Sequence, residues 1–367
     1  MEDQSLDVTL LQQALAQAGG LWEAGQTSLS GLSQTTKRLC LGANPPPEEA
    51  SLDEREQAAR MNFASGRDVH ADAAPAAVDL RSLNGKNYIT SVKNQLSCGS
   101  CVAFGSVATV EGTLRLKRND PNLAVDLSEA HLFYCHAAAQ GRTCNTGWWV
   151  DPALDTFKAI GVVDEACYPY TPGDQQCGVC TDWQNRVTRI ASWTKLNTAA
   201  DMKTWLSTRG PLAACFKVYE DFYAYRSGVY RHTSGQFLGG HCVTAIGYSD
   251  ADGAWICKNS WGTGWGDGGF FRIAYGEAGI DYAMWGVDVA GAPAENWLNE
   301  RLITGLWAIN QDRNGAVYVD GLGWRKISSE SDGIFLAILT VLSSAKSSKS
   351  KVNIRLEGDV IREAYVF

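Results

Sequence analysis

Apolar side chains at Leu6, Leu10, Leu11, Ala14, Leu15 and Ala18 recur at helical spacing over residues 5–18, and Gly19-Gly20 stops the run. A polar stretch then leads to NPPPEE (44–49) and DEREQAAR (53–60), neither of which can build a core of its own. Residues 1–76 therefore read as a leader that covers something else. From about residue 77 the apolar density rises. Helical patterning follows Cys101 (Val102, Ala103, Val107, Val110, Leu114), whereas PLAACFKVY, HCVTAIGYS, AWICKNSW and GGFFRIAY read as strands between Gly-rich turns. Helices first and strands later predict an α+β region of two lobes over 77–292.

GAPAEN (291–296) reads as a linker to a third segment, 293–367. Short strands are expected there around 302–309, 315–320 and 323–328. A helix capped at Ser331 or Asp332 follows, with Phe335, Leu336, Ile338, Leu339 and Leu342 on its apolar side. Two last strands, KVNIRLE and VIREAYVF, share a Gly-Asp turn. That order matches a small OB-type barrel.

At 367 residues the chain has room for two or three domains with separate cores. No apolar run approaches the length of a membrane span. The formal charge of −8 argues against nucleic acid or an anionic membrane as partner. The 11 cysteines, six of them between Cys98 and Cys177, point to a disulfide-permissive compartment: secreted, periplasmic or lysosome-like. The start, MEDQSLDVTLLQQALAQAG, has no basic, apolar signal-peptide pattern, so the two signals conflict.

The run Cys98-Gly99-Ser100-Cys101 admits three uses. Paired with Cys177-Gly178-Val179-Cys180 it would make a zinc site, but the separation far exceeds that of ribbon sites and no His flanks either pair. As a dithiol redox motif it would leave everything downstream unexplained. The third use combines distant residues: Gln95 six positions before Cys101, then GGHCVTAIGY (239–248), then ICKNSWGTGWGDGGFFRI (256–273).

This set resembles the papain-like cysteine peptidases, the family of papain and the cathepsins, over roughly 77–290. The resemblance implies a two-lobed α+β fold, helical on the left and barrel-like on the right, with neither cofactor nor metal. It implies Cys101 as nucleophile at a helix start, His241 as its imidazolium partner, Asn259 orienting the ring, and Gln95 with the Cys101 N–H as oxyanion donors. Trp261 would shield the His–Asn bond and Trp265 would line the primed side. A lone Gln or Asn is usually polar surface; three motifs in family order are not. Cys215, Cys242 and Cys257, in apolar strands, read as inert filling.

By the same resemblance Cys98 pairs with Cys144, Cys135 with Cys177, and Cys167 with Cys180, the last two pairings being exchangeable. The family's usual third bridge is missing, since Gly235 and Ala278 hold the matching positions. Val102 replaces the Trp that normally follows the nucleophile, which affects fine geometry more than chemistry. Trp148 and Trp149 match the wall of the pocket for the second residue before the scissile bond, and Ala283 its floor. An Ala floor between Trp walls implies apolar or aromatic side chains there, with no Arg preference. Gly99 and Gly147 would pair with the substrate backbone, and Gly240 would border the same cleft.

LWEAGQTSLS (21–30) and TKRLCLG (36–42) look like the cathepsin B propeptide, which runs through the cleft in reverse and blocks it. Cys40 would then lie near Cys101. No occluding loop separates Cys144 from Cys167, which implies an endopeptidase acting on peptides and proteins. The acidic leader implies maturation at acidic pH. The 293–367 extension weakly resembles the small OB-type subunits of bacterial binding toxins; it could bind a glycan or a protein, self-associate, or cap the enzyme. A silent binding protein on the same scaffold, or a ligase that shares the acyl-thioester, stands as the alternative function.

Overall fold

The computed structural model describes residues 6–65, 74–289, 296–308, 313–329, 331–357 and 360–366. Of the expected linker over 291–296, residues 291–295 lie outside the described residues, as does the Gly358-Asp359 turn, while Asn296 opens a strand. The chain divides into two compact units, Met1–Val289 and Ala290–Phe367, and the leader belongs to the first.

The leader folds as three helices and a strand. Asp7 caps α1 (Val8–Gln17), accepting from the Thr9 and Leu10 amides, and Leu11 and Leu15 face inward as the helical spacing requires. β1 (Trp22–Ala24) joins the edge of the main sheet. Ser33 caps α2 (Gln34–Leu39), and a Ser51/Glu54 capping box starts α3 (Leu52–Ala64). The pattern analysis left 53–60 without an element, because α3 has no apolar stripe. Its inward face is Arg55, Glu56 and Ala59, so charge rather than hydrophobicity docks it.

In the remainder of the first unit, α4 (Cys101–Lys117) runs through the interior and is buried almost all round from Cys101 to Leu114. α5 (Val150–Ala159) packs against it, and α6 (Ala199–Thr208) lies against the sheet. The strands are β2 (Ala77–Asp79), β3 (Ile190–Leu196), β4 (Leu212–Tyr219), β5 (Tyr225–Tyr230), β6 (Phe237–Ser249), β7 (Ala254–Lys258), β8 (Phe270–Ala274) and β9 (Met284–Val289). They form one sheet in the order β1-β5-β8-β7-β6-β4-β9-β3, with β2 paired to β6. One core cluster gathers around α4 and α5, with Phe133, Leu154, Phe157 and Trp285. The other is aromatic, with Phe216, Phe222, Tyr225, Trp255, Trp265 and Phe271. Leader residues enter both: Leu11, Leu15 and Trp22 the second, Ala43 the first.

The second unit holds β10 (Asn296–Arg301), β11 (Ile303–Ala308), β12 (Gly315–Val319), β13 (Gly323–Ile327), α7 (Asp332–Ser348), β14 (Val352–Glu357) and β15 (Val360–Val366). The sheet order is β10-β14-β15-β13-β12-β11, with β13 and β15 parallel. β10, a strand the sequence pattern did not predict, is separated from β11 by Leu302 alone. The two ends of the sheet are thus successive halves of one chain segment, which curls the sheet round α7 residues Ile338 and Leu342 and strand residues Val317, Val319, Ile354 and Ile361. Among the described residues no helix is long and apolar enough to cross a membrane.

Candidate active site

Cys101 is the first residue of α4, where backbone N–H groups have no partner inside the helix and the dipole is positive. His241 sits in β6, opposite Phe216 of β4, and Asn259 directly follows β7. The ladder between β6 and β7 brings the two together: His241 Nε2 lies 2.8 Å from Asn259 Oδ1, which also accepts from the Ser260 amide at 2.8 Å. Nε2 therefore carries the proton, and Nδ1 is left buried with no hydrogen-bond partner. Trp261 stacks on the ring at 4.6 Å and is itself backed by Tyr223 at 4.7 Å, sealing the His–Asn bond from water.

Gln95 is fully buried. Its Oε1 accepts from Ser260 Oγ at 2.7 Å, which fixes the amide so that Nε2 donates to the Cys98 carbonyl at 2.8 Å and the Cys40 carbonyl at 3.2 Å. Ser260 was not singled out in the sequence, although it stands inside KNSW; a hydroxyl next to Asn259 was the available signal. Cys40 therefore reaches the site through its backbone oxygen. Its thiol lies 3.6 Å from the Thr36 carbonyl, and burial pushes it up to about 12.

The leader crosses the cleft as Leu41-Gly42-Ala43-Asn44. Trp148 N donates to the Gly42 carbonyl (2.8 Å) and Trp148 O accepts from Asn44 N (3.0 Å), a parallel bridge centred on Ala43. The Gly42 and Ala43 amides both donate to the Gly240 carbonyl at 3.0 Å. Backbone meets backbone here. A Cβ on Gly42 would stand 2.0 Å from the Gly99 oxygen, and one on Gly147 2.0 Å from the Gly42 oxygen. Gly99 and Gly147 thus line the leader's path, while its hydrogen bonds go to Trp148 and Gly240. Trp149 N-caps α5 and meets Trp285 edge-on at 5.6 Å; Ala283 is buried in the same cluster. Trp265 is wholly buried, its Nε1 donating to the Phe222 carbonyl, and leader Ser28 covers its neighbour Gly264.

The disulfides are Cys98–Cys144, Cys135–Cys177 and Cys167–Cys180; Cys40, Cys101, Cys215, Cys242 and Cys257 are free. Among the described residues no group of three or more His, Cys, Asp or Glu is placed to hold a metal.

Electrostatically the site is at rest. Complete burial pushes the Cys101 thiol up to about 12, although the backbone N–H groups of Cys242 and Gly42 face its sulfur and pull the other way. Burial likewise pulls His241 down to about 4, against the opposing bond to Asn259. Burial under the leader thus disfavours both charged forms, the thiolate of Cys101 and the imidazolium of His241. The leader excludes the water that would stabilise separated charges. Alkylation checks this: with the leader in place Cys101 reacts slowly with iodoacetamide at about pH 6, and after leader loss at least about tenfold faster. Equal rates would show that the leader does not quench the thiol.

Residues 74–287 match the papain family cysteine protease domain. The chain belongs to the papain family of cysteine proteases. It is 36% identical over 228 residues to cathepsin B of Dictyostelium discoideum, spanning 56% of this chain and 70% of that protein. It is 37% identical over 218 residues to the cathepsin B-like CP3 of Giardia intestinalis, spanning 56% and 71%. Among solved structures, procathepsin B S9 from Trypanosoma congolense superposes with a TM-score of 0.62 at 22% identity, covering 78% of this chain and 99% of that one. Procathepsin L 3 of the Tenebrio molitor larval midgut gives 0.59 at 25%, covering 76% and 87%. The chain is thus a cysteine peptidase with the fold of a zymogen.

Proposed function

We propose that this zymogen matures into an endopeptidase that cleaves peptide bonds through Cys101, His241, Asn259 and Gln95. The observation that carries the proposal is the Cys40 carbonyl bonded to Gln95 Nε2, with the Gly42 N–H facing the Cys101 sulfur. A leader peptide carbonyl occupies the place where a scissile carbonyl would be polarised.

Once the leader leaves, water and the α4 dipole favour transfer of the Cys101 proton to His241 Nδ1. The thiolate attacks the scissile carbon, and negative charge moves to the carbonyl oxygen, where Gln95 Nε2 and the Cys101 N–H receive it. His241 then protonates the leaving amine, and water cleaves the acyl-thioester with the same ring as base. Asn259 holds the ring without taking its proton. The cluster of Trp148, Trp149 and Ala283 supports a preference for apolar or aromatic side chains at the second residue before the bond. The parallel Ala43–Trp148 bridge supports a leader lying in reverse, which puts its own bonds out of reach. The strand order with a parallel β13–β15 pair supports an OB-type reading of residues 296–366. Peptide cleavage that appears with leader loss and is blocked by an epoxide modifying Cys101 tests the proposal; modification at Cys101 without loss of cleavage would refute it.

Acid release follows from the contacts of the leader. Lys217, which the sequence did not flag, is bonded to Asp53 (2.6 Å) and Glu56 (2.8 Å) of α3, and Lys195 to Glu49 (2.7 Å). Burial pushes the Glu49 carboxyl up, but Lys195 and Arg55 outweigh it and hold the group below its usual 4.5. A depressed carboxyl contributes fully above its free value and loses that contribution as pH falls through the bound value. Leader release is thus expected to speed up below about pH 4.5, and Glu49→Gln to make release at about pH 7 faster than in the wild type. Leader loss followed on gels checks both; equal processing at about pH 4 and pH 8 would contradict them.

A further inference from the structure

Arg55, in the first turns of leader helix α3, has a side chain only 3% exposed, and its guanidinium lies 4.7 Å from the ring centre of Trp149 and 4.7 Å from that of Tyr282. Its hydrogen bonds are made within the leader: Nε donates to the Ala50 carbonyl at 2.7 Å and Nη2 to Glu49 at 2.6 Å. Among the described contacts of Arg55, none is to a carboxylate outside the leader. What the enzyme supplies is two π faces. Such a clamp suits a planar, weakly hydrated guanidinium better than an ammonium, and attraction to the rings is strongest where water is excluded.

The enzyme's own contacts hold the Trp149 ring and the backbone on either side of Tyr282. Trp149 packs edge-on against Trp285, whose indole N–H donates to Asp151 at 2.5 Å in α5. Tyr282 lies between two pinned neighbours. Asp281 accepts from Trp255 Nε1 (3.0 Å) and the Gly276 amide (2.8 Å), and Ala283 is buried. The Tyr282 amide itself donates to the Gly279 carbonyl at 3.2 Å. When α3 leaves, the slot loses Arg55 and Glu49 together. Lys195, left by Glu49, retains Asp151 at 3.6 Å as a counter-charge, so no unpaired cation is left beside the slot to repel an incoming one.

We propose that the Trp149–Tyr282 slot is a subsite of the mature enzyme for an arginine side chain of the substrate, and that leader Arg55 occupies it as a surrogate. The slot borders the apolar pocket and shares Trp149 with it: Trp149 follows Trp148, which brackets the leader at Ala43, and Tyr282 precedes Ala283. The proposal rests on the peptidase reading above. It adds a cationic requirement at a neighbouring position to an apolar one in the pocket, and the discriminating groups are ring faces rather than a carboxylate.

The test uses full-length protein that has shed its leader in acid. Peptides carry Phe at the second position before the scissile bond and Arg, citrulline, Lys or Ala at the third or the fourth; a further pair places Arg or citrulline at the second. Citrulline keeps the shape of arginine and removes the charge. The expected result is a kcat/KM for Arg about 3- to 30-fold above citrulline at the third or the fourth position, with Lys between them, and no such ratio at the second. Tyr282→Ala should bring that ratio close to unity and Tyr282→Phe should keep it; Tyr282→Leu serves in place of Ala if the Ala variant does not fold. Equal rates for Arg and citrulline at every position, or a ratio that survives loss of the Tyr282 ring, would overturn the subsite while Phe peptide cleavage left the peptidase reading standing. Cleavage of no peptide at all would remove the peptidase reading and this one with it.

Discussion

Replacing Cys101 by Ala is expected to lower kcat/KM on a Phe-containing peptide by about 10⁴-fold or more, and to leave the leader attached after acid incubation. The reason is chemical. Cys101 is the free thiol at the start of α4, and in the proposed mechanism the acyl-thioester forms there, so the Ala variant lacks the activated nucleophile. His241→Ala should cost about as much, and the double variant little more than either alone, because the two side chains act as one unit. Kinetics on variant protein whose leader has been removed by wild-type enzyme added in trans, then inactivated, separates loss of chemistry from failure to process. A double variant far worse than both singles would show that the two residues work independently.

Gly42→Leu is expected to abolish latency. The Cβ of any residue at 42 would stand 2.0 Å from the Gly99 oxygen and 2.5 Å from its carbonyl carbon, both backbone atoms that cannot swing aside. The leader would have to lift off the cleft, losing its bonds to Trp148 and Gly240. A steric cost of about 3 kcal/mol weakens leader binding by about 100-fold. A synthetic leader covering residues 21–65, added in trans to mature enzyme, checks this without relying on the variant zymogen to fold. The wild-type peptide should inhibit and the one carrying Gly42→Leu should not; equal inhibition would mean that the leader blocks the site some other way.

How much of this was legible in the sequence differs by region. The strands around His241 and Asn259 were readable because they are buried on both faces and nearly continuous in apolar residues, with Gly-rich turns as boundaries. Membership of the papain family was readable because the string KNSWGTGWGDGG is specific to it, and the proposed roles of Cys101, His241 and Asn259 follow from their order around that string. Helix α3 was not, since its docking face is Arg55 and Glu56, and charge pairing leaves no hydrophobic period. Lys217, Lys195 and Tyr282 were invisible for the same reason: a lysine in a strand or a tyrosine in a turn declares itself only when its partner from the leader is in place. The protonation state was likewise out of reach: the family resemblance implies a thiolate–imidazolium pair, whereas burial under the leader pushes Cys101 up and His241 down and so favours the neutral forms. Strand β10 escaped because NWLNER is mostly polar and charged, so the expected strand began only at 302.

The central claim, that a leader peptide carbonyl fills the site where peptide bonds are broken, is tested most directly by incubating the full-length chain under reducing conditions at about pH 4, beside Cys101→Ala, and following leader loss on gels together with cleavage of a fluorogenic Phe peptide. The account predicts loss of roughly the first 75 residues with activity rising in step, and neither event in the variant. A wild-type chain that loses its leader yet cleaves nothing, or a Cys101→Ala chain that matures and cleaves as well as the wild type, would contradict it.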